Sequence, residues 1–227
     1  MNLSAYGYWT DGEKESGLYS VGNGLRKCQC GFYYLLRDAI SIDCPDASDV
    51  PNTQWVNPAD LPEAIRTASS AMVELAARRD YWRHLNDEYR ALYRAHRDAE
   101  DAESDARWLK ERRATLTPWE RFTQRLKKTQ PPLPPDTLNR PFTIPPYAPT
   151  SEQLDNMKRL LTLILAGSAD DAWIDWLEVA ELYREQRLFQ EAQDALGRNT
   201  DDHSSVTAKV LAEQITERVS APIRYRM

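Results

Sequence analysis

The residues best equipped for chemistry in this chain are three thiols and three imidazoles. Cys28, Cys30 and Cys44 fall within one short stretch. An odd, clustered set reads as a local thiol site in a reducing compartment, not as a disulfide framework. The two-residue spacing of dithiol oxidoreductases is absent. The imidazoles are dispersed: His84 and His96 lie twelve residues apart, not the four that place both on one helical face as metal ligands. His96 falls on an apolar stripe, which predicts a core imidazole, and His203 sits in a stretch, residues 200–205, that reads as a helix cap. A nucleophilic triad needs a histidine beside the nucleophile and an acid orienting it, and three scattered histidines leave little room for one. The carboxylates of Asp98, Glu100, Asp101, Glu103 and Asp105 are explained as solvent-facing helical acids. No catalytic residue is assigned.

The run Lys27-Cys28-Gln29-Cys30-Gly31-Phe32-Tyr33 resembles a degenerate zinc-ribbon knuckle, in which a turn presents closely spaced thiolates and the following glycine lets backbone amides point at sulfur. The resemblance implies zinc as the cofactor, with Cys28, Cys30 and Cys44 supplying three of the four ligands of a tetrahedral site. It departs from the usual pattern in two ways: one residue separates the first pair, and a fourth cysteine is missing, so an acid such as Asp43 would complete the set. A metal-dependent enzyme built on this cluster is one alternative reading.

Charge is distributed in blocks. The five acids from Asp98 to Asp105 are followed by Arg107, Lys110, Arg112, Arg113, Arg121, Arg125, Lys127 and Lys128, with Trp108 and Trp119 among them. Basic side chains with interleaved aromatics suit phosphate pairing and base stacking, which makes a nucleic-acid regulator using residues 107–128 a second alternative. Pairing of the two blocks with each other competes with it. Net charge of −6 also disfavours nucleic acid and membrane surfaces as partners. Seven tryptophans exceed what a thin helical assembly buries, and Trp and Arg dominate interface hot spots. Trp108, Arg112, Arg113, Trp119 and Trp173 are therefore the expected partner-binding residues.

These residues must be positioned by a framework that the rest of the sequence supplies. A hydrophobic fraction of 41% against 28% charged belongs to a folded chain with its own core. The longest apolar run, Leu160 to Ala166, falls far short of a membrane span. The first fifteen residues lack a basic segment followed by an apolar one, and the cytoplasm is the expected compartment.

Four regions are expected. Residues 1–56 hold all the cysteines and strand-like runs at 17–21 and 31–36, punctuated by turns at Asp11-Gly12 and Gly22–Gly24: a small β-rich unit, too small to stand on core burial alone. Residues 57–129 open with Asn57 as cap and Pro58 at the first helical position. Ile65, Met72, Leu75, Trp82, Leu85, Tyr89, Leu92 and His96 then recur at helical spacing, predicting one helix of close to fifty residues, roughly 75 Å long. A capping box, Thr117 to Glu120, starts a short basic helix.

Residues 130–149 contain eight of the fourteen prolines and must be extended. Phe142, Ile144 and Tyr147 suit a strap lying over helices. Residues 150–227 predict four helices with short connections, an antiparallel array. Within it, residues 176–196 resemble a single tetratricopeptide hairpin, carried by Trp176, Val179, Ala180 and Tyr183 on the first helix and Phe189, Ala192 and Leu196 on the second. Arg187 replaces the usual turn glycine. The resemblance implies a helical surface that holds a peptide or protein; packing on its own neighbours serves the hairpin equally.

The expectation is a mainly α protein with a long central helix, an antiparallel helical array and a small N-terminal β-rich, zinc-knuckle-like unit. Its function is expected to be non-enzymatic protein binding, as an adaptor or an immunity-type inhibitor of a bacterial toxin. The small residues Ala99, Ala102 and Ala106 offer a seat for a second copy of the chain.

Overall fold

A computed structural model describes residues 7–15, 24–39, 53–120, 122, 142–167, 174–199 and 205–225. The protein is mainly helical, with a long central helix and a few short antiparallel strands. In chain order these are β1 (Gly7–Trp9), β2 (Lys14–Glu15), β3 (Leu25–Lys27), β4 (Tyr33–Leu35), β5 (Gln54–Trp55), α1 (Leu61–Arg66), α2 (Ala71–Leu85), α3 (Asp87–Thr115), α4 (Ser151–Ala166), α5 (Trp176–Glu185), α6 (Phe189–Gly197), α7 (Val206–Thr216) and β6 (Arg224–Tyr225). Among the described residues no helix is long and apolar enough to cross a membrane. Two compact units result: Met1–Asp87 with Tyr147–Met227, and Glu88–Pro146.

In the first unit the strands make two three-stranded sheets, β2-β1-β6 and β4-β3-β5. β1 turns into β2 at Asp11-Gly12, where Gly12 takes a positive φ of 80°, a conformation glycine adopts without strain. Its other neighbour is β6 near the C-terminus, with Tyr8 opposite Tyr225, a pairing of distant segments that local sequence signals do not contain. In the second sheet Leu25, Tyr33 and Leu35 project onto Leu61, Ala64, Val73, Ala76 and Ala77 of α1 and α2. The small sheet therefore shares its core with helices, as its size requires. The strand expected at 17–21 lies outside the described residues.

The predicted fifty-residue helix is interrupted twice. Thr67–Ser70 separate α1 from α2, and the Ser70 hydroxyl accepts from the Val73 amide as a cap. Asn86 separates α2 from α3, because its amide side chain is drawn into the interior, where it is fully buried. At the start, Pro58 stands at the first position of a 3-10 turn, but the Asn57 side chain makes no capping bond. Met72 and Leu92, placed on the apolar stripe by spacing, are 42% and 52% exposed.

The main core joins Trp82 of α2 to Met157, Leu160, Leu161 and Ile164 of α4, Val179 and Leu182 of α5, Leu196 of α6 and Leu211 and Ile215 of α7. α4 starts with a capping box: Thr150 accepts from the Gln153 amide while Gln153 accepts from the Thr150 amide. Two bidentate ion pairs register the helices, Arg79 with Glu178 and Arg159 with Glu74. Between α5 and α6 the chain reverses at Arg187, which holds φ at 64°, the left-handed conformation that a glycine would adopt at less cost.

In the second unit residues 142–146 of the strap lie on α3. Phe142 packs edge-on against Tyr93 with ring centroids 4.7 Å apart, the Arg97 guanidinium stands 5.0 Å from the same ring, and Tyr89 donates to the Pro145 carbonyl at 3.0 Å. His96 is half-exposed, tilted against Phe142 and 3.4 Å from Glu100. It is not the core imidazole that spacing predicts, since its side chain lies beside Phe142 and Glu100 with much of its surface open.

Candidate functional site

Three places concentrate polar chemistry. The most densely bonded is a closed network in the first unit, built on the polar face of α5, where Glu181, Arg184 and Glu185 recur at helical spacing and are each 0% exposed. Arg184 forks onto Glu181 at 2.6 and 2.7 Å, donates to Thr10 Oγ1 at 3.3 Å and also reaches the Val219 carbonyl. Burial is the largest single influence and works against its charge, but Glu181, by charge and hydrogen bond, together with Glu185 and Tyr147, raises its pKa.

Glu185 accepts from the Trp82 indole at 3.0 Å and from the Asn86 amide at 3.2 Å. Asn86 also donates to Asp11 at 3.1 Å and accepts from Gln153 at 3.4 Å. The Tyr147 hydroxyl lies 3.1 Å from both Asn86 Oδ1 and Glu185 Oε2.

Three carboxylates and one guanidinium in a buried site cannot all carry charge cheaply. Burial, followed by the carboxylates of Glu181 and Asp11, pushes the Glu185 carboxyl well above the usual range. The single Tyr147 hydroxyl hydrogen is shared between Asn86 Oδ1 and Glu185 Oε2, both of which accept from it. Burial, together with the Glu185 charge, likewise pushes the Tyr147 phenol upward. Glu181, Arg184, Glu185 and Asn86 have no exposed surface. They tie the β1–β2 turn, the end of α2, Tyr147 of the strap, α4, α5 and the segment after α7 to one another.

Sequence reasoning missed this network. Its signal was present: charged residues at positions 181, 184 and 185 share one face of a helix, and spacing alone reads such a face as solvated. The open hollow of about 450 Å³ beside α6, lined by Arg187, Phe189, Glu191, Ile215 and Arg218 among others, holds none of these groups.

The second place is the β3–β4 hairpin. Its ends are held by the Lys27–Tyr33 pair, and the turn is closed by the Gly31 amide donating to the Cys28 carbonyl at 2.9 Å and the Cys28 amide donating to the Phe32 carbonyl at 2.8 Å. Gly31 holds φ at 87°, which explains the glycine. Cys28 is half-buried and Cys30 exposed. The Cys28 thiol donates toward the Cys30 sulfur, and this bond, with the Phe32 amide, lowers the Cys30 pKa.

For zinc, this turn supplies two thiolates of a tetrahedral set. Cys44 and Asp43 lie outside the described residues, and among the described residues no group of three or more Cys, His, Asp or Glu stands close enough to hold a metal ion. The described residues thus supply half of the set.

The third place is the C-terminal part of α3 and the turn after it, in the second unit. The Arg112 guanidinium lies 5.5 Å from the half-buried Trp108 ring, one helical turn away. Arg113 is exposed. The capping box at Thr117 forms as predicted, its hydroxyl accepting from the Glu120 amide at 3.3 Å while Glu120 accepts from the Thr117 amide at 2.8 Å. It presents Trp119, 71% exposed, stacked at 5.8 Å on Phe122, 54% exposed. Acid–base pairing between the two charge blocks is seen at Glu103–Arg107, 3.1 Å.

Trp108, Arg112, Arg113 and Trp119 thus fall on one stretch of chain, while Trp173 and the basic residues Arg121, Arg125, Lys127 and Lys128 lie outside the described residues, as does His203. Of the other tryptophans, Trp9, Trp82 and Trp176 are core residues and Trp55 is exposed beneath the Arg26 guanidinium, 3.3 Å from its ring. Compared with known protein families, curated proteins and solved structures, the chain has no significant match.

Proposed function

We propose that this chain is a non-enzymatic protein-binding protein, an adaptor or an immunity-type inhibitor that occludes a toxin, and that it docks through the end of α3 and the turn that follows. The observation that carries this reading is the Trp119–Phe122 stack, two large exposed aromatic rings a few residues after Arg112 and Arg113 in the chain. Burying two such side chains is worth about 1.5–3 kcal/mol each, and a capped turn that already fixes their geometry spares part of the ordering cost of association. The basic side chains steer toward an acidic surface, so the fitting partner is a protein with an apolar depression rimmed by carboxylates. The burial of the α5 network supports the same reading, since the chain's most interactive ionisable groups serve its own fold.

The test is capture from nuclease-treated lysate of the native host with the full chain as bait, using wild type and the Trp119→Ser/Phe122→Ser double variant in parallel. A protein retained by wild type and lost with the double variant supports the proposal. Retention of nucleic acid alone in untreated lysate, with steep release by salt, favours the regulator reading and removes this one.

A further inference from the structure

We infer that the open hollow between the α5–α6 turn and the end of α7 binds a small organic carboxylate with an apolar body, its anionic end held by Arg187 and Arg218. Every residue lining the hollow belongs to the first unit, and the inference stands apart from the protein-binding reading. The volume is about 450 Å³, within the range of small-molecule sites. The two arginines occupy equivalent places in two separate turns. After α5 the Leu188 amide donates to the Tyr183 carbonyl at 3.0 Å, and after α7 the Val219 amide donates to the Gln214 carbonyl at 2.9 Å. Each bond closes a helix end in the way that usually puts glycine at the preceding residue. Here that residue is Arg187, with φ at 64°, in one turn and Arg218, with φ at 57°, in the other. Among the described residues no other non-glycine side chain stands on a left-handed backbone, and both of these line the same hollow. Folding alone favours glycine at such positions, so arginine twice at one hollow calls for a use of the guanidinium groups.

Their contacts within the chain leave that use open. Arg187 donates one N–H to the Tyr147 carbonyl at 3.0 Å, and the Arg218 guanidinium stands 5.0 Å from the centre of the Phe189 ring. Neither forms an ion pair with a described carboxylate, Glu191 of the same hollow included. Two guanidiniums against one carboxylate leave the lining with one positive charge in excess. A guanidinium presents a planar fork of donors that matches a carboxylate. The excess of one charge suits a monocarboxylate, whereas a phosphate dianion would exceed it and face Glu191. The Phe189 ring, the half-exposed Leu188 and the buried Ile215 supply the apolar contact.

The experiment titrates phenylacetate, phenethylamine and inorganic phosphate in turn into the full nitrogen-15-labelled chain and follows the backbone amide resonances. Phenylacetate is expected to give saturable shifts, largest at residues 187–191 and 215–218. Phenethylamine, the cation with the same body, should give none there, and phosphate should bind weaker by about tenfold or more. Arg218→Gly, which relieves the left-handed backbone, should keep the wild-type urea midpoint or raise it while weakening phenylacetate by about tenfold or more. Arg218→Lys, with the charge kept and the fork lost, should fall between the two. No saturable shift at the hollow up to about 10 mM phenylacetate, equal binding of phosphate or of the amine, or phenylacetate affinity left intact by Arg218→Gly would overturn the inference.

Discussion

Trp82 and Arg184 on one side, and Trp119 and Arg112 on the other, are the same two residue types put to opposite uses. In the first unit the Trp82 indole donates to Glu185 and Arg184 is bonded to Glu181, Thr10 and a backbone carbonyl, all within a closed interior. At the end of α3, Trp119 faces water and Arg112 lies along the ring of Trp108 on its own helix. A buried guanidinium must be satisfied by the chain that folds around it, or the fold fails. An exposed aromatic–arginine stretch contributes little to folding and retains most of its apolar area for a partner. Residue type alone does not decide which use is made; the number of chain segments that converge on the residue does.

The largest expected effect comes from breaking the buried half of this contrast. Arg184→Met leaves Glu181 without its partner in a dry site and should lower stability by about 3–5 kcal/mol, read as a shift in the urea midpoint. Tyr147→Phe removes the hydroxyl shared by Asn86 and Glu185 and should cost about 1–3 kcal/mol by the same measurement.

Glu185→Gln sharpens the comparison through pH. The unfolded chain loses the Glu185 proton near the ordinary carboxyl value, about 4.3, whereas the folded chain keeps it to higher pH because burial and the facing carboxylates raise its pKa. The folded state therefore binds the extra proton in between, and wild-type stability falls as pH rises through that window toward the folded value. Midpoints taken from pH 5 to 9 should decline more steeply for wild type than for the glutamine variant. Glu74, whose pKa is lowered first by Arg159 and then by Arg78, acts with the opposite sign and loses its contribution only at acid pH, so this range leaves it ionised. The smallest effect on folding belongs to the exposed half: Trp119→Ser/Phe122→Ser should shift stability by no more than about 0.5 kcal/mol.

The helices were legible where local chemistry sets them. Thr150 with Gln153 and Thr117 with Glu120 form the reciprocal bonds that a capping box requires, and Gly31 takes the positive φ that its place in a thiol-bearing turn implies. The break at Asn86 was not legible, because the Asn86 side chain is bonded there to Asp11 and Glu185, residues distant in sequence. The β1–β6 pairing was hidden for the same reason. Of the candidate site, Trp108, Arg112, Arg113 and Trp119 could be read from composition and spacing, and Cys28 with Cys30 from their turn. The interior placement of Glu181, Arg184 and Glu185 could not, since a charged helix face reads as solvated until the segments that cover it are known.

The central claim, that this chain acts by offering the Trp119 face to a protein partner, is tested most directly by calorimetric titration of the captured partner into wild type and into the Trp119→Ser/Phe122→Ser variant, with unfolding midpoints measured on the same samples. An affinity about thirtyfold weaker for the variant at an unchanged midpoint is the predicted result. Equal affinities at equal midpoints would contradict it.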